Sequence, residues 1–193
     1  MYGRRPYLLL LRGTDVAYRD NKANTKRLTV CAMLAALGVI LLYIGSLVEL
    51  VDISMAVLAS LLCVVAVIEY GGSWPWLIYG VTAILSIVLL PNKTPAAMYA
   101  LFFGFYPILK EKLEKLPRVL SWVLKELVFN IALVAMAIAS LLLFFTQNNT
   151  LLKQPIILVA IFVLAEAVFV LYDIAMTRLI SFYIVKLRRR FKF

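Results

Sequence analysis

Six continuous apolar stretches occupy most of this 193-residue chain, and they restrict its fold more than any other feature. A helix needs about 20 mainly apolar residues to cross the hydrocarbon core of a bilayer. Because the stretches are continuously apolar rather than alternating, they favour helices over a β-barrel. The predicted spans are Leu28–Leu50, Ile53–Tyr70, Pro75–Leu90, Pro95–Leu109, Trp122–Thr146 and Pro155–Ser181.

Positive charge is concentrated on one side of these spans. Lys and Arg cluster before the first span, between spans four and five, and after the last span, whereas the opposite side carries Lys93 and Lys153. Cytoplasmic loops are the ones enriched in Lys and Arg, and this bias orients a membrane protein. We therefore predict an all-α integral membrane protein of the plasma membrane, a six-transmembrane-helix bundle with both termini cytoplasmic.

Composition divides the chain into a basic cytoplasmic N-terminal arm (1–27), a six-helix membrane domain (28–185) and a basic cytoplasmic tail (186–193). The net charge of +10 also raises the possibility of nucleic-acid binding. No RNA- or DNA-binding motif accompanies it, however, and basic residues that flank membrane helices attract anionic lipid headgroups. The expected partners are therefore membrane lipids, and nucleic acid is not expected.

A short amphipathic segment follows the fourth predicted span. In Ile108–Leu116, charged residues surround the apolar Leu109, Leu113 and Leu116. This pattern predicts a cytoplasmic helix that lies along the membrane surface. The same helix is also suited to docking a partner, and Pro117 is expected to end it.

Four charged residues lie near the inner ends of spans five and six. If the two spans are regular antiparallel helices, Lys125 and Glu126 lie near the depth of Asp173 and Arg178. Charged side chains become tolerable in a membrane when they pair with one another. We therefore predict two structural ion pairs between these helices.

Glu166 is expected near the middle of the bilayer. It follows Pro155 by eleven residues, which corresponds to a depth of about 16 Å. An ionisable residue at that depth indicates a functional site by default. The alternative is a structural glutamate, protonated or solvated by water, that faces the bundle interior and bonds to Ser140 or Asn130.

Ala32 and Ala36 form a strip of small side chains on the first span. Small residues four positions apart let another helix approach closely, which matters in lipid because packing replaces the hydrophobic driving force. The strip suits either packing within the same bundle or contact with another subunit.

The segment Thr25–Gly38 combines a basic pair, Lys26 and Arg27, with this alanine strip. Together with six spans in 193 residues, it resembles the substrate-binding S component of energy-coupling factor transporters. The resemblance implies that Ala32 and Ala36 contact a transmembrane T component and that two ATPase subunits drive the assembly. It also implies binding and uptake of a vitamin-like micronutrient, a small-molecule ligand that the sequence does not identify.

In that case the substrate site opens outward among spans one, four, five and six. Aromatic rings would supply stacking area, and carboxylates would fix polar or cationic groups of the ligand. The expected substrate-binding residues are Tyr43, Glu49, Asp52, Asn92, Tyr99 and Glu166.

Other functions have less support in the sequence. The chain has no histidine and no P-loop motif, and Cys31 and Cys63 lack metal-ligand spacing. We therefore expect no enzyme activity, no metal and no cofactor. The alternative function is a non-transporting membrane scaffold or accessory subunit of a cell-envelope complex, which the short outer connections favour. A channel is less favoured, because no span carries a sustained polar stripe.

Overall fold

The part of the chain that the structure describes consists of helices joined by short turns. A computed structural model describes residues 5–143 and 155–187, and it describes side chains for 24–48, 50–139 and 159–186. The helices are α1 (Arg5–Leu47), α2 (Asp52–Glu69), α3 (Trp74–Leu89), α4 (Thr94–Met98), α5 (Tyr106–Leu113), α6 (Arg118–Leu143) and α7 (Pro155–Phe182). A 3₁₀ turn (Glu49–Val51) precedes α2, and π-helical turns follow α4 (Tyr99–Phe103) and α7 (Tyr183–Leu187).

Within residues 5–143 and 155–187, four helical segments are long and apolar enough to cross a membrane. They are Asn24–Leu47 in α1, Asp52–Glu69, Arg118–Ala139 in α6, and Val159–Lys186, which continues from α7 into the second π turn. These segments correspond to the predicted spans one, two, five and six. The described residues are thus helical, as predicted, and the four segments have the length and composition of membrane spans, which suggests a multi-pass membrane protein.

The first membrane helix extends well beyond the apolar stretch. α1 runs without a break from Arg5 through residue 27, where composition changes from basic to apolar. The predicted arm and the first span are therefore parts of one 43-residue helix over the described residues. Residues 1–4, and residues 188–193 of the predicted tail, lie outside the part described.

The third and fourth predicted spans differ from the other four. α3 has 16 residues, close to the lower limit for a span. The fourth stretch, Pro95–Leu109, is divided among α4, the first π turn and the start of α5. Pro95 and Pro107 each lie in the first turn of a helix, where the missing N–H costs no hydrogen bond.

The chain folds into two compact units, Met1–Glu126 and Leu127–Phe193. In the first unit, the turn between α1 and α2 lies at one end, where Asn92 contacts Asp52. At the other end, the turn between α2 and α3 lies beside Trp76, and Lys112 of α5 lies 6.0 Å from the Trp76 ring. The segments α1, α2, α3 and 94–113 thus pass alternately between these ends, which we call the Asp52 end and the Trp76 end.

Small residues bring the helices of the first unit close together. A Cβ at Gly45 would lie 2.9 Å from the Met55 Cβ, so α1 and α2 nearly touch beside their turn. Gly71 and Gly72 have φ of +58° and +57°, a conformation that suits glycine, and they provide the sharp turn before α3. The main buried cluster comprises Leu42, Ala56, Ala59, Ala83, Leu90, Ala96 and Tyr99.

α5 differs from the surface helix predicted at Ile108–Leu116. The helix begins two residues earlier, at Tyr106, and ends at Leu113, and turns connect it to Pro117. Its Ile108 and Lys110 side chains are buried, and it packs against α2. An element packed in this way is part of the core of the first unit, with its other side exposed at Glu111 and Lys112.

A stacked aromatic pair and a hydrogen bond join α6 to α7 in the second unit. The rings of Phe129 and Phe169 stack with centroids 4.4 Å apart and an interplanar angle of 9°. Beside them, the Asn130 amide donates to the Glu166 carboxylate at 3.0 Å. An aromatic and a polar contact therefore hold the two helices together over one turn.

Candidate functional site

Asp52 and Asn92, two of the predicted substrate-binding residues, meet at the Asp52 end. Asp52 is the first residue of α2 and is only 6% exposed. Asn92 lies in the turn between α3 and α4, and its Nδ2 donates to Asp52 Oδ2 at 3.5 Å. A carboxylate at a helix N-terminus is favoured by the helix dipole. This pair is the acidic centre of the candidate site.

The rest of the Asn92 side chain holds its own turn together. Its Oδ1 accepts hydrogen bonds from the Thr94 backbone N–H at 3.0 Å and from the Thr94 hydroxyl at 2.8 Å. Such Asx-type bonding replaces backbone hydrogen bonds where a helix starts. Asn92 therefore joins the start of α4 to the start of α2.

Lys93 closes the end of α3 in the same turn. Its Nζ donates to the carbonyl oxygens of Ile87 at 2.8 Å and Leu90 at 2.6 Å. Carbonyls at a helix C-terminus lack intrahelical partners, and a cation there also interacts favourably with the helix dipole. Lys93 lies on the side of the predicted spans that carries little positive charge. Its role in capping α3 accounts for a lysine at this position.

The other predicted substrate residues have different environments. Tyr99 is buried in the main cluster of the first unit, together with Leu90 and Ala96. Tyr43 lies on an exposed part of α1, with 44% of its surface accessible. Glu49 belongs to the 3₁₀ turn beside Asp52, and its side chain lies outside those described.

Glu166 has the hydrogen-bonded environment that one of the two sequence interpretations predicted. Its Oε1 accepts the bond from Asn130, and the residue is half-buried. Ser140, the other predicted partner, lies outside the described side chains. Glu166 belongs to the second unit, so its grouping with Asp52 and Asn92 stays a prediction.

Three charged side chains meet near the Trp76 end. Lys110, only 1% exposed, lies 2.9 Å from the Glu114 carboxylate, and Lys125 lies 3.5 Å from the same oxygen. Lys125 also lies 5.6 Å from the Trp122 ring centroid. Sequence reasoning predicted Lys125 as a paired residue but missed Lys110 and Glu114, because periodicity placed them on a surface helix. The predicted pairing of Lys125 and Glu126 with Asp173 and Arg178 stays a prediction.

The alanine strip lies on the exposed side of α1. Ala32 and Ala36 are both exposed, whereas Cys31 and Ala35, which lie about 100° around the helix on the adjacent face, are buried. Cys31 and Cys63 are both free thiols. Among the described residues, no group of three or more acidic, Cys or His side chains is arranged to hold a metal ion.

A third group of residues, which the sequence did not single out, joins α3 to the π turn. The Tyr79 hydroxyl donates to the Ala100 carbonyl oxygen at 2.7 Å. The ring lies against Gly104, where a Cβ would come within 2.5 Å of Tyr79 Cδ2. The sequence contained one signal of this contact, which is the glycine between two aromatic pairs in Phe102–Tyr106.

No protein-family model, no curated protein and no solved structure matches this chain. The geometry of the chain and the resemblance of its first helix are therefore the grounds for proposing a function.

The contact between Asn130 and Glu166 is expected to stabilise the second unit measurably. We predict that Asn130→Ala and Glu166→Ala each lower the unfolding temperature in detergent micelles. A double-mutant cycle should give a coupling of about 0.6 kcal/mol, with about 2 kcal/mol as an upper bound. Glu166→Gln is the matched control, because it keeps an acceptor oxygen for the Asn130 amide. Additive effects of the two alanine variants would contradict this prediction.

Proposed function

We propose that this chain is the membrane-embedded substrate-binding subunit of an uptake system for a vitamin-like micronutrient. In this proposal it couples to a transmembrane T component and two ATPase subunits, as the resemblance to energy-coupling factor transporters implies. The observation that carries the proposal is the exposure of Ala32 and Ala36 beside a face of α1, with Cys31 and Ala35, that is buried. The chain itself performs no catalysis in this arrangement.

The exposed alanine strip supports contact with another helix. α1 packs against α2 and α3 within the first unit, and the buried Cys31 and Ala35 lie on that side. Ala32 and Ala36 are therefore not used in this packing. Small residues contribute little to lipid contact but allow close backbone approach, which is the main source of helix association in membranes.

The Asp52 end supports recognition of a polar ligand. Asp52 is buried at a helix N-terminus and within hydrogen-bond distance of the Asn92 amide. A buried carboxylate beside an amide offers a ligand one charged acceptor and one polar contact. Tyr99 and Tyr43 would then supply aromatic area, and Glu49 and Glu166 further carboxylates.

The six-span topology is part of the same proposal. The segment 94–113 begins beside Asp52 and ends beside Trp76, so it covers the length of the first unit despite its interrupted helix. Irregular backbone is tolerated at membrane depth where protein covers it, and Ala96, Tyr99, Phe102 and Tyr106 are all buried. In this proposal α3 and the segment each cross the membrane, so the chain passes six times and both termini are cytoplasmic.

Site-directed labelling tests this topology. We expect Lys93→Cys to react with a membrane-impermeant maleimide in intact cells, because it lies at the proposed outer end. Lys115→Cys should react only after the membrane is permeabilised. Both variants are made in a chain in which alanine replaces Cys31 and Cys63. Labelling of both positions from the same side would show that 94–113 does not cross the membrane.

The proposed partner surface is tested by co-purification. We expect the native chain, expressed with the genes that neighbour its own, to recover a transmembrane subunit and two ATPases. Ala32→Leu and Ala36→Leu together should reduce this recovery about tenfold or more, because two added side chains prevent close helix approach. Ala167→Leu, a substitution of an exposed alanine on α7, is the matched control. Equal recovery with both sets of variants would exclude the alanine strip as the interface.

The proposed binding site is tested with a panel of water-soluble vitamins. We expect one compound to raise the unfolding temperature of the purified chain. Asp52→Asn keeps an acceptor for Asn92 but removes the charge, so it should weaken binding at least tenfold, the usual effect of losing a charged hydrogen bond. Unchanged affinity in Asp52→Asn would exclude Asp52 from the site, and unchanged affinity in Glu166→Ala would exclude Glu166.

A non-transporting membrane scaffold is the second candidate. It is favoured by the way Asn92 and Lys93 use their polar groups to close the turn at the Asp52 end. A scaffold predicts no response to any vitamin and recovery of envelope proteins without ATPases. The co-purification and binding experiments thus separate the two candidates.

A further inference from the structure

The π turn at Tyr99–Phe103 changes the hydrogen-bond register of the chain. The Gly104 N–H donates to the Tyr99 carbonyl oxygen, five residues back, at 2.7 Å. In a regular α-helix the same N–H would donate to Ala100, four residues back. The π turn therefore contains one extra residue, and it releases the Ala100 carbonyl from its usual donor. Single π turns within α-helices are rare and occur frequently at functional sites.

Tyr79 supplies the donor that the π turn removes. Its hydroxyl, on α3, donates to the Ala100 carbonyl oxygen at 2.7 Å. A buried carbonyl without a donor costs free energy in an apolar environment. The Tyr79 hydroxyl therefore stabilises the π register specifically, because in the α register the Ala100 carbonyl would have a backbone partner.

Gly104 makes room for this arrangement. A Cβ at this position would lie 2.5 Å from Tyr79 Cδ2, 2.8 Å from Tyr79 Cε2 and 2.8 Å from Tyr99 Cε1. The Tyr79 ring is further surrounded by Trp76, Tyr99 and Phe105, with centroid distances of 6.0–6.2 Å. Hydroxyl, ring and glycine thus form one interlocking contact between α3 and the π turn.

We propose that Tyr79 is a latch that holds the segment 94–113 in its π register, and that its release lets the turn convert to an α-helix. Loss of the extra residue rotates α5 by about 100° and moves it about 1.5 Å along its axis relative to α4. Each residue from Phe103 onward then takes the place of the next one along the chain, so release also requires the Tyr79 ring to withdraw from the place of Gly104, where the Phe103 Cβ arrives. Leu113, now buried, moves to the exposed position of Glu114.

This latch would connect the two ends of the first unit. The segment starts at Asn92, which contacts Asp52, and its far end carries Lys110 and Lys112, which contact Glu114 and Trp76. An element with two discrete registers carries a change at one end to the other, whereas a continuously deformable one does not. The inference goes beyond the proposed function and does not depend on it, because the latch requires neither a ligand nor a partner.

Cysteine reactivity reports the register directly. Leu113→Cys is made in a chain in which alanine replaces Cys31 and Cys63, and its rate of reaction with a water-soluble maleimide is measured in detergent micelles. Tyr79→Phe keeps the ring but removes the hydroxyl. We expect it to raise the labelling rate of Leu113→Cys about fivefold, the population change that corresponds to one net hydrogen bond.

Control positions separate a change of register from general loosening. Glu111→Cys is exposed now and, after the rotation, occupies the exposed position of Lys112, so its labelling rate should not change in Tyr79→Phe. Gly104→Ala should act like Tyr79→Phe, because the added Cβ displaces the Tyr79 ring. Gly80→Ala is the matched control, since a Cβ at Gly80 meets no atom within 4 Å.

Three outcomes would contradict the proposed role of Tyr79. The first is a labelling rate of Leu113→Cys that stays the same in Tyr79→Phe. The second is an equal rise at Glu111→Cys, which indicates unfolding of α5 rather than rotation. The third is labelling of Leu113→Cys as fast as Glu111→Cys while Tyr79 is present, which means that the π register is not held. Each result is independent of vitamin binding and of co-purification.

Discussion

The structure depends on one constraint, which is that every backbone polar group in an apolar environment needs a hydrogen-bond partner within the protein. Long regular helices meet it without help, and α1, α2, α6 and α7 up to Phe182 are of this kind. Where the helices stop or change register, side chains supply the partners. Lys93 donates to the last carbonyls of α3, Asn92 accepts from the start of α4, and Tyr79 donates to the π turn.

Hydropathy predicted the long helices, in which the backbone groups bond to one another within the same helix. The apolar stretches Leu28–Leu50 and Ile53–Tyr70 correspond closely to helical segments, because a continuous apolar run has few alternatives to a helix in lipid. Pro95–Leu109 was predicted as one span from the same signal, yet it contains a π turn. The Ala100 carbonyl of this turn accepts a hydrogen bond from Tyr79, which is remote in sequence and which no periodicity within the stretch reveals.

The candidate site was predictable to a similar extent. Asp52 and Asn92 were both selected as polar residues beside turns, and they meet because the two turns lie at the same end of the first unit. Lys110 was predicted on a surface helix, since its neighbours Glu111 and Lys112 are charged. Its burial follows from the packing of α5 against α2 and from the Glu114 carboxylate, which are contacts that sequence pattern does not encode.

The same constraint relates the shape of the chain to its proposed role. Side-chain partners are fewer and more easily changed than a helical ladder, so a helix interruption is a place where conformation can switch at low cost. In the first unit, the π turn interrupts the segment that connects the Asp52 end to the Trp76 end. α1, by contrast, is uninterrupted from Arg5 to Leu47 and carries the exposed alanine strip. An uninterrupted helix for the proposed docking, beside a segment with two proposed registers, would suit a coupled transporter subunit better than a static scaffold.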